Sequence, residues 1–430
     1  MKSYNIAIIG QGYVGLPLSL EFAEHYPVLG FDINTERINE LNNGHDSTLE
    51  ADIDKLKDSL KHYNESKGNI GYRGTSNIED IVNCNVFIVT VPTPIDKYNA
   101  PDLKPLLTAS KMLAEIIKKG DIIIYESTVF PGCTEEECVP ILEKYSALKF
   151  NEDFFVGYSP ERINPGDKIN TLTSVMKVTS GSTEEIAQEV DDLYKKIITA
   201  GTHKTSSIRV AEASKAIENA QRDVNISFVN ELALIFDRMG IDTNDVLEAA
   251  GTKYNFLKYK PGLVGGHCIS VDPYYLAHKA EQLGYHPDVI LSGRRVNDSI
   301  AKFIASKVIK LLITKGNIIK NSEALILGVT FKENCPDVRN TKVIDIYNEL
   351  KDYGVNVDIF DPWADKEEVK DEYGVTILDQ LEKNKKYDSI IIAVSHKEFL
   401  TLDFAKIKKE DSVIFDTKAC IDRSLVDARL

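Results

Sequence analysis

The chain of 430 residues is too long for one hydrophobic core, so its length predicts two or three domains. Hydrophobic residues make up 43% and charged residues 27%, which is ordinary for a globular enzyme. With 51 basic and 66 acidic residues, the formal charge is −15, which makes nucleic acid and anionic membranes poor partners for the surface as a whole. No apolar run approaches the ~20 residues of a membrane-spanning helix, so we expect no membrane association.

The cysteines and the first residues bear on the compartment. Six cysteines are scattered at positions 84, 133, 138, 268, 335 and 420, without a CxxC pair or disulfide-like spacing. The opening MKSYNIAIIG passes directly into an apolar run and lacks the pattern of a signal peptide. We therefore expect the reducing cytoplasm as the location.

The N-terminal stretch has the pattern of a strand, a glycine-rich turn and a helix. YNIAIIG is rich in isoleucine, GQGYVG supplies G-x-G-x-x-G, and LPLSLEFAEH has helical periodicity. Gly10 permits the tight turn, Gly12 lets the backbone approach a pyrophosphate, and Gly15 lets the helix pack close to the strand. Together with Tyr13 and Val14, these glycines form a predicted dinucleotide site.

An acid follows the next predicted strand, PVLGFD. Asp32 lies 20 residues after Gly12, where a carboxylate can accept hydrogen bonds from both ribose hydroxyls. Because a carboxylate repels a 2′-phosphate, Asp32 favours NAD over NADP. Arg37 can stack near the adenosine, and the alternative for Arg37 is a solvated charge on a helix.

Three more strand-like runs end in polar residues. NVFIVTVPTP leads to Thr93, DIIIYESTVFPG contains Thr128, and FFVGYSPERINPG contains Glu161. Because ligands bind at the carboxyl ends of strands in an open parallel sheet, we expect these three side chains to belong to one site.

A long helix is predicted from about Ser206 to Met239, a stretch without glycine or proline that Gly240 follows as a C-cap. Lys215 and Asn219 lie four positions apart and therefore share a face of this helix. An exposed helix lysine is the simpler interpretation of Lys215, but the neighbouring asparagine favours a polar pocket.

The loop GGHCISVDPYY allows three interpretations of Cys268. A zinc site is disfavoured, because adjacent His267 and Cys268 diverge and no partner pair has metal-ligand spacing, so we predict no metal. A buried structural cysteine is the second interpretation. The third is a covalent nucleophile, which is favoured because glycines allow a substrate to approach, Asp272 lies near the start of a helix, and a cation such as Lys215 can raise the thiolate fraction.

A cationic loop precedes Cys268. KYKPG combines positive charge with an aromatic side chain, and glycines follow in LVGG. Such a loop can surround an anionic ligand with backbone amides and ammonium groups. We predict that Lys258, Tyr259 and Gly265 contact the substrate.

Several segments together resemble the nucleotide-sugar 6-dehydrogenases of the UDP-glucose and UDP-N-acetylhexosamine dehydrogenase family. The segments are IAIIGQGYVGLPL, ESTVFPGCTEE, SPERINPG, AEASKAIENAQRDVNISFVNE, PGLVGGHCISVDPYYL, GVTFKENCPDVRNT and FDTKACID. They span Ile6 to Asp422. The form GGHCISVDPYYL, with His267 and Val271, resembles the branch acting on UDP-N-acetylglucosamine or UDP-N-acetylgalactosamine.

The resemblance implies the roles of the catalytic residues. Cys268 attacks a C6 aldehyde and carries a thiohemiacetal, then a thioester, while Lys215 and Asn219 stabilise the oxyanion. Asp272 helps activate water or holds the charge network. In addition, the resemblance gives Glu161 a role in proton transfer and Thr128 the role of positioning a water.

The resemblance also assigns the C-terminal third to the UDP moiety, and this third has a strand, loop, helix and strand of its own without GxGxxG. Lys332 and Lys418 are the expected cations, and Arg339 is expected to reach the cofactor. Some relatives supply an arginine from the partner subunit before the cysteine loop, but GTKYNFLKYK contains none. We expect a homodimer or higher homo-oligomer that uses the long helix and the segment after it.

These observations predict an α/β protein in which two Rossmann-like, doubly wound parallel-sheet domains are joined by a long central helix. The expected domains are an NAD-binding domain at 1–203, a central domain at 204–305 and a UDP-binding domain at 306–430. The expected activity is oxidation of a UDP-N-acetylhexosamine to its uronic acid, a precursor of a surface polysaccharide. Alternatives are UDP-N-acetylmannosamine or UDP-glucose as substrate, a two-electron hydroxyacid dehydrogenase, and a non-catalytic NAD-binding sensor.

Overall fold

The computed structural model describes residues 3–48, 50–96, 98–163, 170–266, 269, 271–382 and 384–430. The chain divides into two compact units. The N-terminal unit comprises Met1–Glu218 and Tyr274–Gly284, and the C-terminal unit comprises Asn219–Pro273 and Tyr285–Leu430. His267 and Cys268 lie outside the described residues.

The N-terminal unit is built on an eight-stranded sheet. Its strands are β1 (Ile6–Ile9), β2 (Pro27–Phe31), β3 (Gly71–Thr75), β4 (Val86–Val89), β5 (Ile122–Tyr125), β6 (Phe155–Tyr158), β7 (Lys177–Gly181) and β8 (Thr202–Lys204). They lie in the order β3-β2-β1-β4-β5-β6-β7-β8, and every pair is parallel except β6 with β7. Residues of β1, β4 and β5 are wholly buried and almost all aliphatic or aromatic, as expected where helices cover both faces.

Helices follow the strands of this sheet. They are α1 (Gly15–Ala23), α2 (Thr35–Asn42), α3 (Ile53–Glu65), α4 (Lys104–Ala114), α5 (Val139–Ser146) and α6 (Glu184–Lys195). Asn34, Asp52 and Thr183 are the N-caps of α2, α3 and α6, and each side chain accepts a backbone N–H of the first turn. The strand order 3-2-1-4-5-6 is that of a doubly wound dinucleotide fold.

The C-terminal unit has a five-stranded, wholly parallel sheet. Its strands are β9 (Glu323–Leu327), β10 (Asn356–Phe360), β11 (Tyr387–Ile392), β12 (Lys408–Asp416) and β13 (Ala428–Arg429), in the order β10-β9-β11-β12-β13. The long helix α7 (Ile208–Met239) is followed by α8 (Thr243–Ala250), α9 (Asp272–Gln282), α10 (Asp288–Thr314), α11 (Val343–Asp352), α12 (Lys366–Tyr373) and α13 (Phe404–Ile407). The predicted α/β class with parallel Rossmann-like sheets is confirmed.

The long helix α7 extends over Ile208–Met239, which confirms the helix predicted from about Ser206 to Met239. Gly240 follows at a φ of +69°, a left-handed conformation that glycine adopts without steric cost. Residues of α7 up to Glu218 belong to the N-terminal unit, and those from Asn219 belong to the C-terminal unit. The three-domain division at 203 and 305 stays a prediction.

Helix α10 shows how burial follows sequence spacing. Ile300, Ile304, Val308 and Leu312 are four residues apart, and all four are fully buried in the hydrophobic core of the C-terminal unit. This spacing puts them on one face of the helix, against the sheet. Within the described part of the chain, no helix is both long and apolar enough to cross a membrane.

Sterics explain the glycines of the first turn. Gly10 has a φ of +95°, which favours glycine strongly. A Cβ added to Gly15 would lie 1.8 Å from the carbonyl oxygen of Gly10, so the start of α1 can approach β1 only without a side chain. A Cβ added to Gly12 would meet nothing within 4 Å. Gly15 is therefore required for packing, whereas Gly12 leaves open space beside the backbone.

The two glycines predict a matched pair of substitutions. Gly15→Ala should lower the free energy of unfolding by about 3 kcal/mol or more, because backbone atoms must move to admit the methyl group. Gly12→Ala should change it by less than about 1 kcal/mol. Urea denaturation of both variants measures the difference, and equal losses of stability would contradict this account of the turn.

Candidate active site

The carboxylate of Asp32 is fixed against the glycine-rich turn. Its Oδ2 accepts the backbone N–H of Gln11 at 2.8 Å, and its Oδ1 accepts the backbone N–H of Asn34 at 2.9 Å. The end of β2 is thus tied to the turn between β1 and α1. With Gly12 exposed beside open space, the turn and the acid fit the pyrophosphate and ribose of a dinucleotide.

Arg37 is not a solvated helix charge, so that alternative is wrong. Its side chain is buried, Nε donates to the carbonyl of Gln11 at 2.9 Å, and a terminal nitrogen lies 2.7 Å from Oδ1 of Asp46. Burial by itself raises the pKa of Asp46, but hydrogen bonds from the Thr48 hydroxyl, the backbone N–H of Ala51 and Arg37 outweigh burial and hold this pKa below its usual value. Arg37 therefore binds the turn that was predicted to hold the cofactor.

The ends of β4 and β5 come together, as the sequence predicts. The hydroxyl of Thr93 donates to the carbonyl of Thr128 at 2.7 Å. The hydroxyl of Tyr275 donates to the carbonyl of Thr93 at 2.9 Å. Thr128 itself is partly buried. The two threonines thus occupy one edge of the sheet, and Tyr275 on α9 fixes the segment after β4.

Glu161 lies just after β6 beside the glycine-rich turn. With Tyr13 and Val14, it lines a cavity of about 200 Å³ in the N-terminal unit. Its Oε1 accepts the backbone N–H of Ile163 at 2.7 Å, and its Oε2 lies 3.6 Å from Nζ of Lys177. The carboxylate expected in proton transfer and two residues expected at the cofactor therefore border the same space.

Lys177 and Glu126 were not identified from the sequence. Both are buried, and Nζ of Lys177 lies 2.7 Å from Oε2 of Glu126. The hydroxyl of Tyr194 donates to the other oxygen of Glu126. A lysine at the start of the apolar strand VMKVTSG was the available signal, because a lysine enters a sheet interior only with a partner.

Two of the residues expected at the cysteine contact each other. Asn219 on α7 and Asp272, the first residue of α9, are buried, and Nδ2 of Asn219 donates to Oδ2 of Asp272 at 2.5 Å. Lys215 is also buried, with only 6% of its surface exposed, so the simpler interpretation of an exposed helix lysine is wrong. Cys268, the residue around which this set was predicted, lies outside the described residues.

Asparagines fix the loop that leads toward Cys268. The side-chain amide of Asn230 on α7 accepts the N–H of Gly262 at 2.8 Å and donates to its carbonyl at 3.1 Å. Asn340 contacts the backbone of Gly266, and a Cβ on Gly265 would lie 2.5 Å from the Asn340 carbonyl oxygen. Gly265 is therefore needed for close approach of two backbones, a role that the sequence did not indicate.

Asn230 is held in turn by a buried polar network. Its Nδ2 donates to Oδ1 of Asn297, whose own amide donates to Asp223, and Asp223 lies 2.7 Å from a guanidinium nitrogen of Arg294. Each of these four side chains is almost wholly buried. Such a network costs free energy unless it is well paired, so it holds α7, α10 and the loop in one arrangement.

The expected substrate cations differ in their surroundings. Lys418 follows β12, and burial lowers the pKa of its ammonium. A Cβ on Gly262 would lie 3.4 Å from Lys418 Nζ, so this ammonium adjoins the glycine loop. No carboxylate of the described residues lies within ion-pair distance of Lys418. The ammonium of Lys332 lies 5.4 Å from the centroid of the Phe331 ring. Lys258 is exposed and Tyr259 is partly buried.

Arg339 makes a local ion pair. Its Nε donates to Oδ1 of Asp337 at 2.9 Å, and its terminal nitrogen lies 2.5 Å from Oδ2. Its guanidinium is thus positioned by a residue two positions earlier in the same loop. Among the described residues, no group of three or more His, Cys, Asp or Glu side chains could hold a metal ion.

Comparison with known proteins gives matches over nearly the whole chain. Residues 4–198, 209–299 and 325–423 match the NAD binding, central and UDP binding domains of the UDP-glucose/GDP-mannose dehydrogenase family. The chain is 55% identical to "UDP-N-acetyl-D-glucosamine 6-dehydrogenase" of Pseudomonas aeruginosa, covering 100% of both chains. It is 54% identical to "Protein CapL" of Staphylococcus aureus, covering 97% of this chain and 96% of that one.

A solved structure extends the similarity to the fold. The UDP-D-ManNAc dehydrogenase of Pyrococcus horikoshii superimposes with a TM-score of 0.88 at 30% identity, covering 99% of this chain and 98% of that one. The matched domains, the fold and the dinucleotide turn lead to the same conclusion. The chain belongs to the UDP-glucose/GDP-mannose dehydrogenase family and is an NAD-dependent oxidoreductase.

Proposed function

We propose that the protein oxidises the C6 hydroxymethyl group of UDP-N-acetylglucosamine to a carboxylate. The relative named for this substrate is 55% identical over the whole chain, whereas the solved UDP-D-ManNAc dehydrogenase is 30% identical. Within the structure, the observation that carries the chemistry is the buried contact between Asn219 and Asp272, because Asp272 lies four positions after Cys268. The product is a uronic acid suited to surface polysaccharide synthesis.

We assign the second oxidation to a covalent step on Cys268. One alcohol, one water and two NAD⁺ give one carboxylate, two NADH and three protons. After the first oxidation, attack by the Cys268 thiolate on the aldehyde gives a thiohemiacetal, and its oxidation gives a thioester that water hydrolyses. NAD supplies a hydride acceptor when it is bound. The cysteine retains the sugar from the first oxidation to the second, so no free aldehyde need leave.

We assign oxyanion stabilisation to the buried Lys215 and to Asn219. The carboxylate of Asp272 accepts the amide of Asn219 and so fixes its orientation. We assign proton transfer to Glu161 and the positioning of a water to Thr128. Glu161 suits this role because it borders the cavity of the glycine-rich turn, and its Oε2 accepts no hydrogen bond from the described residues.

We assign cofactor binding to the turn and to the strand ends that follow it. The residues are Gly10, Gly12, Tyr13, Val14, Gly15, Asp32, Arg37, Thr93 and Thr128. Arg339 lies in the C-terminal unit, and its contact with the cofactor stays a prediction. The carboxylate of Asp32 supports NAD over NADP, because it is fixed at the end of β2. Arg37 acts through the backbone of the turn, to which it donates at Gln11.

We assign the UDP moiety to the loops of the C-terminal unit. Lys418 and Lys332 supply positive charge, and we assign Gly265 to the same loop, which its missing side chain allows to pack against the backbone of Asn340. Lys258 and Tyr259 lie on the loop before Gly262, which Asn230 fixes. An ammonium that is half-buried and has no carboxylate partner among the described residues suits a diphosphate, because the diphosphate restores the lost solvation.

We also propose a homodimer, and we place the reaction in the cytoplasm. An apolar stripe runs along α7 at positions i, i+4, i+7 and i+11, formed by Phe228, Leu232, Ile235 and Met239. Three of its side chains are largely exposed: Phe228 (57%), Ile235 (42%) and Met239 (61%). Such a stripe suits a second copy of the chain.

None of the five described cysteines forms a disulfide, which suits a reducing compartment.

One prediction of this proposal concerns the stoichiometry. The enzyme should release two NADH per UDP-N-acetylglucosamine, and Cys268→Ser should form no net acid and release at most one. The measurement is NADH absorbance against sugar consumed. Cys84→Ser, a change at a buried cysteine after β3, is the control and should keep two. A yield of one NADH in the unchanged enzyme would instead favour a two-electron dehydrogenase, and nucleotide binding without turnover would favour a sensor.

The same assay on a substrate panel identifies the sugar. Initial rates with UDP-N-acetylglucosamine, UDP-N-acetylgalactosamine, UDP-N-acetylmannosamine and UDP-glucose should give the highest kcat/KM with the first. A higher kcat/KM with UDP-N-acetylmannosamine would move the assignment to the class of the solved structure from Pyrococcus horikoshii.

A further prediction concerns Lys418. Lys418→Met should weaken UDP binding by roughly 10- to 100-fold, because a hydrogen bond to a charged group contributes about 1.5–3 kcal/mol. Isothermal titration with UDP measures the loss. Lys406→Met changes an exposed lysine of α13 and should leave the affinity unchanged. Equal affinities for both variants would remove Lys418 from the site.

Another prediction concerns the oligomer. Ile235→Glu should shift the protein toward monomers in analytical ultracentrifugation, because a charge in an apolar contact is costly. Ile318→Glu is the control, since Ile318 is 82% exposed and lies outside α7. A dimer that persists unchanged in Ile235→Glu would exclude this face of α7 as the interface.

A further inference from the structure

Three charged side chains of the N-terminal unit meet at the ends of β5 and β6 and the start of β7. Nζ of Lys177 lies 2.7 Å from Oε2 of Glu126 and 3.6 Å from Oε2 of Glu161. The side chain of Lys177 is 2% exposed and that of Glu126 is 0% exposed. One buried ammonium therefore faces two carboxylates.

The two carboxylates are engaged differently. Both oxygens of Glu126 have a donor, namely the Lys177 ammonium and the hydroxyl of Tyr194. Glu161 is held at Oε1 by the N–H of Ile163, while its buried Oε2 accepts no hydrogen bond from the described residues. Lys177 thus forms a close pair with Glu126, but it acts on Glu161 mainly through charge. Oε2 of Glu161 therefore remains able to accept a hydrogen bond from another donor.

We propose that Lys177 is a positioning residue for Glu161. Its ammonium orients the side chain of Glu161 at the cavity that Tyr13 and Val14 also line and supplies a positive charge beside it, and Glu126 limits how strongly that charge acts. This inference rests on the proposed role of Glu161 as the proton-transfer group. It adds two buried residues, Lys177 and Glu126, that act through Glu161.

The charge state of Lys177 supports this role. Burial lowers the pKa of its ammonium, but the carboxylates of Glu126 and Glu161 outweigh burial, so the pKa is raised and the side chain stays charged. An opposite charge within about 4–6 Å favours the ionised form of a carboxylate. In a buried setting this effect is screened less by salt than at the surface.

Other charged groups near Glu161 have partners of their own. Lys55 lines the same cavity but lies 2.6 Å and 2.7 Å from carboxylate oxygens of Glu21 and Glu24. Arg162 lies 2.7 Å from a carboxylate oxygen of Glu218. The remaining titratable groups of the cavity wall are Tyr13, Glu50 and Asp52, and Tyr194 faces the trio from α6. Lys177 is thus the cation most directly placed to act on Glu161 among the described residues.

The test is the pH dependence of kcat/KM in two variants with opposite expected shifts. In Lys177→Met, the acid limb of the kcat/KM profile should move to higher pH, because the positive charge 3.6 Å from Oε2 of Glu161 is lost. In Glu126→Gln, it should move to lower pH, because a negative charge is removed while Lys177 remains. A structural role alone predicts lower stability in both variants without shifts of opposite sign.

Further variants separate folding from tuning. Lys177→Met leaves Glu126 buried without its counter-charge, which is strongly destabilising. The double variant Lys177→Met/Glu126→Gln removes both charges and should fold, with an acid limb between those of the unchanged enzyme and Lys177→Met. Lys177→Arg should keep the original limb. Lys204→Met, which breaks the ion pair of Lys204 with Glu184 on the same unit, is the control and should also keep it.

Two results would overturn the inference, and a third would overturn the assignment beneath it. If the double variant folds and its acid limb equals that of the unchanged enzyme, Lys177 does not tune Glu161. The same holds if Lys177→Met and Glu126→Gln shift the limb in one direction. If instead Glu161→Gln retains the acid limb, the proton-transfer role of Glu161 fails, whatever Lys177 does.

Discussion

In each sheet, a carboxylate that follows the second strand in chain order accepts a backbone N–H of the loop that follows the first strand. Asp32 accepts the N–H of Gln11 at 2.8 Å after β2, and Asp361 accepts the N–H of Val329 at 2.6 Å after β10. A loop that leaves a buried parallel strand has backbone N–H groups that must find acceptors. The acid supplies such an acceptor at the carboxyl edge of the sheet. The loop expected to bind the cofactor and the loop expected to bind the nucleotide therefore depend on the same kind of contact.

The chemistry proposed for the protein depends on buried polar groups that are almost fully paired. In the N-terminal unit, Lys177 and Glu126 lie behind Glu161, and in the C-terminal unit, Asn230 binds both backbone groups of Gly262. A polar group in a low-dielectric interior has few alternative partners, so each pair fixes one geometry. These pairs fix the positions of residues that are expected to contact the substrate.

Sequence patterns predicted those elements whose signal is local. The glycine turn, the strand ends at Thr93 and Thr128, and the helix α7 follow from residue type, periodicity and caps, which depend on near neighbours in the chain. The same reasoning left Arg37 undecided, because its partners Gln11 and Asp46 are 26 and 9 residues away. It also missed Lys177, because the sequence around a lysine does not show whether the folded chain provides a carboxylate partner.

The sequence by itself determined the α/β class, the dinucleotide turn and the family, because these reside in short segments with a fixed spacing of glycines, acids and apolar residues. Tertiary structure alone decided which polar groups pair. Asn230 meets a glycine 32 residues later, and Lys177 meets a carboxylate 51 residues earlier. Such contacts form where strands and helices from distant parts of the chain pack together, and their geometry depends on register and helix rotation, which no local pattern encodes.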